Sequence, residues 1–201
     1  MTIERLITNV LDDVRRTDLT AEASAEVCNS IRHYAEKTWW FTEHTASFTT
    51  TSSVGAYLLP ADFKRIAYAE VQRSSGEWIE LYPRHIDEIQ YKNQGISHTG
   101  YPEYYTIYGQ EMRLAYIPDT AYTIRLFYER TYTDLTAQAS NVWTLNLEPL
   151  IQARASYRVA MSKLHDAELA TFYKTMESEE LSLAREKHEG RILSGFTKVW
   201  S

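Results

Sequence analysis

One cysteine, Cys28, leaves no partner for an internal disulfide and too few thiolates for a Cys-based zinc site. The 7 glycines are scattered, and none falls into a dinucleotide fingerprint or a phosphate loop. Neither His-Glu-x-x-His nor Gly-x-Ser-x-Gly occurs, which removes the zincin and nucleophile-elbow chemistries. The 6 histidines, His33, His44, His85, His98, His165 and His188, stand at no metal-ligand spacing. His165-Asp166 with Glu168 is the nearest polar cluster, and it falls at a helix boundary where Asp is expected as a cap. No catalytic, cofactor-binding or metal-binding residue is therefore assigned, and the chain is expected not to be an enzyme.

Two further absences bear on partners. Runs of Lys or Arg are missing, and 27 acidic against 21 basic residues give a net charge of −6. A DNA grip built on phosphate neutralisation is not expected from that balance, although an acidic wall past which DNA slides is compatible with it. No apolar run approaches the ~20 residues that cross a bilayer. Met1-Thr2-Ile3-Glu4 lacks the basic-then-apolar order of a signal peptide. The expectation is a soluble protein made in a reducing cytosol.

Aromatic residues are what the chain has in quantity: 15 Tyr and 5 Trp beside 6 Phe. Tyr and Trp combine a large apolar area with a polar tip, which suits surfaces solvated before assembly and buried after it. Tyr on the outer faces of strands accounts for the same composition.

Helical spacing opens the chain, with Ile3, Leu6, Ile7, Val10, Leu11 and Val14 on one stripe. Asp18 or Thr20 can cap a second helix whose face carries Ala21, Ala25, Cys28, Ile31 and Ala35, so Cys28 is expected on a buried stripe as a small apolar residue. After Trp39-Trp40-Phe41 the periodicity changes. Up to about residue 132 the chain is rich in Thr, Tyr, Ile and Val and is cut by turn signals. Strands are expected near 66–73 and 78–82 around Ser74-Ser75-Gly76, and near 104–108 and 111–117 around a two-residue Gly109-Gln110 loop. After the Pro118-Asp119 turn, Tyr122, Ile124, Leu126 and Tyr128 alternate with Thr123, Arg125 and Glu129, the pattern of an antiparallel sheet with one buried face. Residues 84–93 have helical composition, ended by Asn93-Gln94-Gly95.

Helix returns near 146 with Asn146 as cap and Pro149 in the first turn, followed by Leu150, Ala153, Tyr157, Ala160 and Leu164. Asp166 can cap a last helix holding Leu169, Phe172, Tyr173, Met176 and Leu183 inside, with Gly190 placed to stop it. The expected class is α+β: an antiparallel bundle from 1–40 and 144–190 as one discontinuous domain, an inserted antiparallel β-sheet or sandwich block at 41–143, and a C-terminal arm at 191–201. The arm is apolar where a free tail is polar. Ile192, Leu193, Phe196, Val199 and Trp200 either fold back on their own domain or dock on a neighbour. Asp12-Asp13 and the acids of 177–180 read as solvated helix faces; Glu177, Glu179 and Glu180 are also candidates for a channel lining repeated around a ring.

Four stretches in this order resemble the head-to-tail adaptor, or connector, proteins of short-tailed and related bacteriophages. An N-terminal helical pair leads into Trp39-Trp40-Phe41; Tyr57-Leu58-Leu59-Pro60-Ala61-Asp62-Phe63 precedes a strand at Ile66. Gly100-Tyr101-Pro102-Glu103-Tyr104-Tyr105-Thr106-Ile107-Tyr108-Gly109 runs on to Arg113-Leu114 and Ile117-Pro118-Asp119, and Leu135-Thr136 with Trp143 stand before the C-terminal helices. The likeness spans nearly the whole chain and rests on pattern and order; no lysozyme-like extension accompanies it. It implies a structural virion protein at the head-tail junction, a dodecameric ring under the portal that prolongs the DNA channel and offers the tail a platform. Its implied partners are further copies of itself, the portal protein, tail or nozzle proteins, and DNA passing unbound, with no cofactor and no membrane. In such rings the helical layer builds the subunit contacts and the C-terminal arm reaches the portal, which makes Phe196 and Trp200 the candidate anchors and turns the β block to the tail. The competing readings are a tail-tube or nozzle subunit and a carbohydrate-binding β module with a Tyr-lined groove.

Overall fold

The computed structural model describes residues 2–94, 99–131 and 141–194. Its elements divide between two compact units, one formed by residues 1–41 with 132–201 and the other by 42–131. The class is α+β, as the order of periodicities implies.

Among the described residues, four longer helices build the first unit. Helix α1 (Ile3–Asp13) begins where the Thr2 hydroxyl accepts the Arg5 amide at 3.3 Å, and buries Ile3, Leu6, Ile7 and Val10. It stops because Arg15 takes a left-handed backbone. Helix α2 (Thr20–Ala35) buries Ala23, Val27, Ser30, Ile31 and Tyr34. The expected face of Ala21, Ala25 and Cys28 is displaced from this one, and Cys28 is only half-buried. Ala fits either side of a helix, so the bulkier Val27, Ile31 and Tyr34 decide which side turns inward. Asp18 is not a cap: it pairs with Arg16 at 2.6 Å, and no side chain caps α2.

Helix α4 (Val142–Asn146) precedes α5 (Glu148–Val159). Asn146, expected as the cap of α5, is instead the last residue of α4, and no side chain caps α5. Helix α4 is capped by Asn141, whose side chain accepts the Trp143 and Thr144 amides at 3.0 Å while the Thr144 hydroxyl answers the Asn141 amide. A π-helical turn at Ala160–Leu164 ends on left-handed His165, and Asp166 then caps α6 (Ala167–Ser194), accepting the Leu169 amide at 2.9 Å. Gly190 does not stop α6. Glycine inside a helix costs only ~1 kcal/mol, which packing of the neighbouring turns offsets. The N- and C-terminal helices share one core that includes Leu6, Val27, Trp39, Trp143, Ile151 and Val159. Trp143, expected with the β block, thus belongs to the helical core.

The second unit is built on a seven-stranded sheet. Its strands are β1 (Glu43–Thr49), β2 (Ala56–Leu58), β3 (Phe63–Gln72), β4 (Trp78–Pro83), β6 (Tyr104–Tyr108), β7 (Glu111–Ala115) and β9 (Thr123–Arg130), in the order β1-β9-β3-β4-β6-β7-β2. Two short strands, β5 (Thr99–Gly100) and β8 (Ile117–Pro118), pair separately. The hairpin at Gly109-Gln110 has the expected two-residue loop, with Tyr108 opposite Glu111 and Gly109 at φ 64°. Not every pair is antiparallel: β4 runs parallel to β6, because α3 (Ile86–Lys92) lies between them in the chain and a parallel pair needs such a crossover. Gly95 and His98 lie outside the described residues. Strand β9 keeps the expected alternation, with Ile124, Leu126 and Tyr128 in a core shared with Val71, Leu81 and Leu114. Glu129, expected outside, is also buried and pairs with Arg65 at 2.6 Å.

Trp39 is buried in the helical core, donates to the Tyr34 carbonyl at 2.8 Å and stacks on Phe41. Trp39→Ala should lower unfolding free energy by ~3–5 kcal/mol in urea titrations; a loss below ~1 kcal/mol would contradict its place in the core.

Candidate assembly surfaces

The acids singled out by the sequence part company in the fold. Glu179 and Glu180 reach the surface of α6, Glu180 being half-buried. Glu177 is 4% exposed within its own chain, and burial inside one copy can only deepen on assembly, so it is no lining residue. Its position follows from helix geometry: residue 177 lies on the same face as Tyr173 and Ala184, which pack inward. There the Glu177 carboxylate accepts from the Tyr34 hydroxyl and the Arg154 guanidinium at 2.7 Å each, and from the Lys174 ammonium at 2.8 Å. Burial pushes its pKa up, but the hydrogen bonds from Lys174, Tyr34 and Arg154 outweigh this and hold it below the ordinary carboxylate range. Burial, then the hydrogen bond to Glu177, pushes the Tyr34 phenol well up, so it stays a donor. Asp13 also departs from the solvated-face expectation: it accepts from Gln152 at 2.9 Å and Ser156 at 2.7 Å, tying α1 to α5.

Of the arm, Arg191 to Ser194 continue α6; Ile192 and Leu193 stand in its last turn, while Phe196, Val199 and Trp200 lie outside the described residues. The root of the arm is held. Lys187 and Arg191 lie 5.3 and 5.2 Å from the centre of the Trp40 ring, and His188 stacks against it at 6.3 Å. Trp40 therefore holds the last turns of α6.

Three residues expected inside α6 are outside: Phe172 is 56% exposed, Met176 37% and Leu183 56%. At spacings of four and seven they form one stripe, away from the inward face of Ala170, Tyr173 and Ala184. Two apolar phases on one helix were the available sign, since a helix with a single buried stripe carries only one. On the far side, a groove of about 620 Å³ runs between α5 with its π-helical turn and α6, lined by Tyr157, Met161, Ala167, Thr171, Thr175 and Ser178 among others.

The β unit has its own outer surface. Tyr68 stacks on Phe127 at 4.3 Å, and the Arg125 guanidinium, paired with Glu70, lies 4.0 Å from the Trp78 ring centre. Leu58, 80% exposed, and Tyr108 flank the Gly109-Gln110 hairpin. A concavity beside α3, of about 380 Å³, has Asn93 and Arg113 in its lining, but Asn93 donates to the Leu114 carbonyl and Arg113 pairs with Glu111. Among the described residues no group of three His, Cys, Asp or Glu side chains could hold a metal ion, and no helix is long and apolar enough to cross a membrane.

Glu177→Gln should destabilise the helical unit by ~3–5 kcal/mol, because it leaves Arg154 without its counter-charge. The folded-state pKa of Glu177 is depressed, so its contribution is complete above the ordinary carboxylate range and lost as pH falls through the folded value. Melting followed between pH 7 and pH 3 should show a steeper acid loss for the wild type than for Glu177→Gln; parallel curves would exclude the carboxylate as the cause.

No curated protein matches this chain. A family model does, described as SU10 adaptor protein, and it covers residues 1–194, which take in both halves of the helical unit and the whole β unit. With a match running over so much of its length, the chain belongs to the SU10 adaptor protein family.

Proposed function

We propose that the chain is a ring-forming head-to-tail adaptor that seats under the portal, prolongs the DNA channel and presents a platform to the tail. The observation that carries this reading is the family match over residues 1–194, which supports a phage adaptor with a structural role. Assembly surfaces of the kind such a role needs accompany it: the exposed apolar stripe of α6 and the aromatic outer face of the β unit. In this reading Glu180 belongs to an acidic lumen wall from which DNA is repelled rather than held, while Glu179 stands beside the apolar stripe of α6. Ile192, Leu193, Phe196, Val199 and Trp200 dock on portal or on a neighbouring copy, and Trp40 holds the end of α6 from which they follow in sequence.

Negative-stain imaging of the protein alone and mixed with its portal tests the reading. Rings stacked on portal are expected in the mixture, because a template raises local concentration and assembly follows mass action. A protein that ignores portal would instead favour a tail-tube or nozzle subunit. Removal of residues 195–201 should leave the helical content by circular dichroism unchanged and reduce portal attachment at least tenfold. Truncation after Ser194 is chosen because Arg191 packs on Trp40, so a cut at 191 would also disturb the core. Undiminished portal binding by the shortened chain would rule out the arm as anchor.

A further inference from the structure

The two flanks of α6 differ in relief and in charge. One flank carries the raised stripe of Phe172, Met176 and Leu183. Glu168, Glu179 and Glu186 lie in the same helical phase, at four residues before and seven and fourteen after Phe172, and all three are exposed. The other flank is concave: the α6 side of its groove is built from the small residues Ala167, Thr171, Thr175 and Ser178, with exposed Met161 opposite. Its charges are mixed, with Lys174 already paired with Glu177 at 2.8 Å, Arg185 exposed, and the acid Glu189 in the phase of Thr171. Lys174 and Arg185 share one phase of α6 with Ser178.

Taking the ring reading above as given, we propose that copies of this chain meet through these two flanks, the Phe172–Met176–Leu183 stripe of one copy seating in the groove between α5 and α6 of the next. The occupant is a second copy because both halves of the contact are on the chain, are complementary in relief, and set the three acids of the stripe flank against a groove flank carrying Lys174 and Arg185 beside a single acid, Glu189. A stripe set against its own twin would bring Glu168, Glu179 and Glu186 against the same acids, and like charges at contact are repelled. Seated in the groove, those acids face Arg185 and the Lys174–Glu177 pair instead. The contact joins two different patches, so each copy offers one free stripe and one free groove, and the association continues until rotation closes it. Phe172 supplies the aromatic anchor of the kind that dominates interface energies, and Met176 adapts to the remaining space.

Single-cysteine variants on a Cys28→Ser background test the contact. Met176→Cys and Thr175→Cys proteins are assembled on portal, and separately concentrated without it, then treated with a short bis-maleimide. Crosslinked dimers are expected from the mixture of the two variants and not from either alone. Dimers from Met176→Cys alone would replace the stripe-to-groove contact with a two-fold one, and rings without crosslinks in the mixture would overturn it. Crosslinks in the mixture without rings on portal would keep the contact and remove the ring reading; neither crosslinks nor rings would remove both. In parallel, Phe172→Glu, at an exposed position, should keep wild-type circular dichroism and lower ring yield at least tenfold, whereas unchanged yield counts against the stripe.

Discussion

The antiparallel pairing of β1 with β9 is the constraint on which the helical unit rests. That unit is made of two stretches of chain separated by residues 42–131, and bringing such distant stretches together costs loop-closure entropy. The β unit removes much of that cost by its own topology. Its first long strand and its last lie side by side, Glu43 opposite Glu129 and Thr49 opposite Thr123, and the Arg130 amide donates to the Thr42 carbonyl at 2.9 Å. The chain therefore leaves the β unit close to where it entered. Trp39 and Phe41 from before the insertion and Trp143 from after it then meet in one aromatic cluster, with Phe41 edge-on to Trp143 at 5.0 Å.

Once closed, the helical unit is pinned by polar contacts that also span the insertion. Glu177 joins Tyr34 on α2 to Arg154 on α5, while Asp13 at the end of α1 accepts from Gln152 and Ser156 on α5 and, through its carbonyl, from Tyr173 on α6. Each carboxylate is satisfied by several donors, which is what makes a buried charge tolerable. Such a network defines how α6 is rotated about its axis. Turning Glu177 inward turns Phe172, Met176 and Leu183 outward, so the surface available for assembly is set by the same contacts that hold the monomer together.

Much of this was readable from the residues. Strong single-phase patterns, as in α1 and β9, name both the element and its buried face, because one side of the element must be apolar whatever it packs on. Turn chemistry at Gly109-Gln110 gave the hairpin its register. Strand β1 leaves little mark in the sequence: Glu43 to Thr49 lie at the sheet edge, and only Ala46 and Phe48 are half-buried, too few to set a pattern. The buried face of α2 is ambiguous in the sequence because alanines fit either side, and Gly190 carries the local signature of a stop although the turns around it are held by Trp40.

By itself the sequence determined the α+β class, the order of helices, strands and helices, the absence of recognisable catalytic motifs, and the resemblance to phage adaptors that the family match makes plain. These depend on local periodicity, turn chemistry and motif order, which are properties of neighbours in the chain. Only the tertiary structure decided that Glu177 is a buried tie, that β4 and β6 run parallel, and that α6 presents one apolar phase outward. Those outcomes depend on which groups, more than a hundred residues apart for Tyr34 and Glu177, come within hydrogen-bond reach, and periodicity along the chain carries no record of that distance.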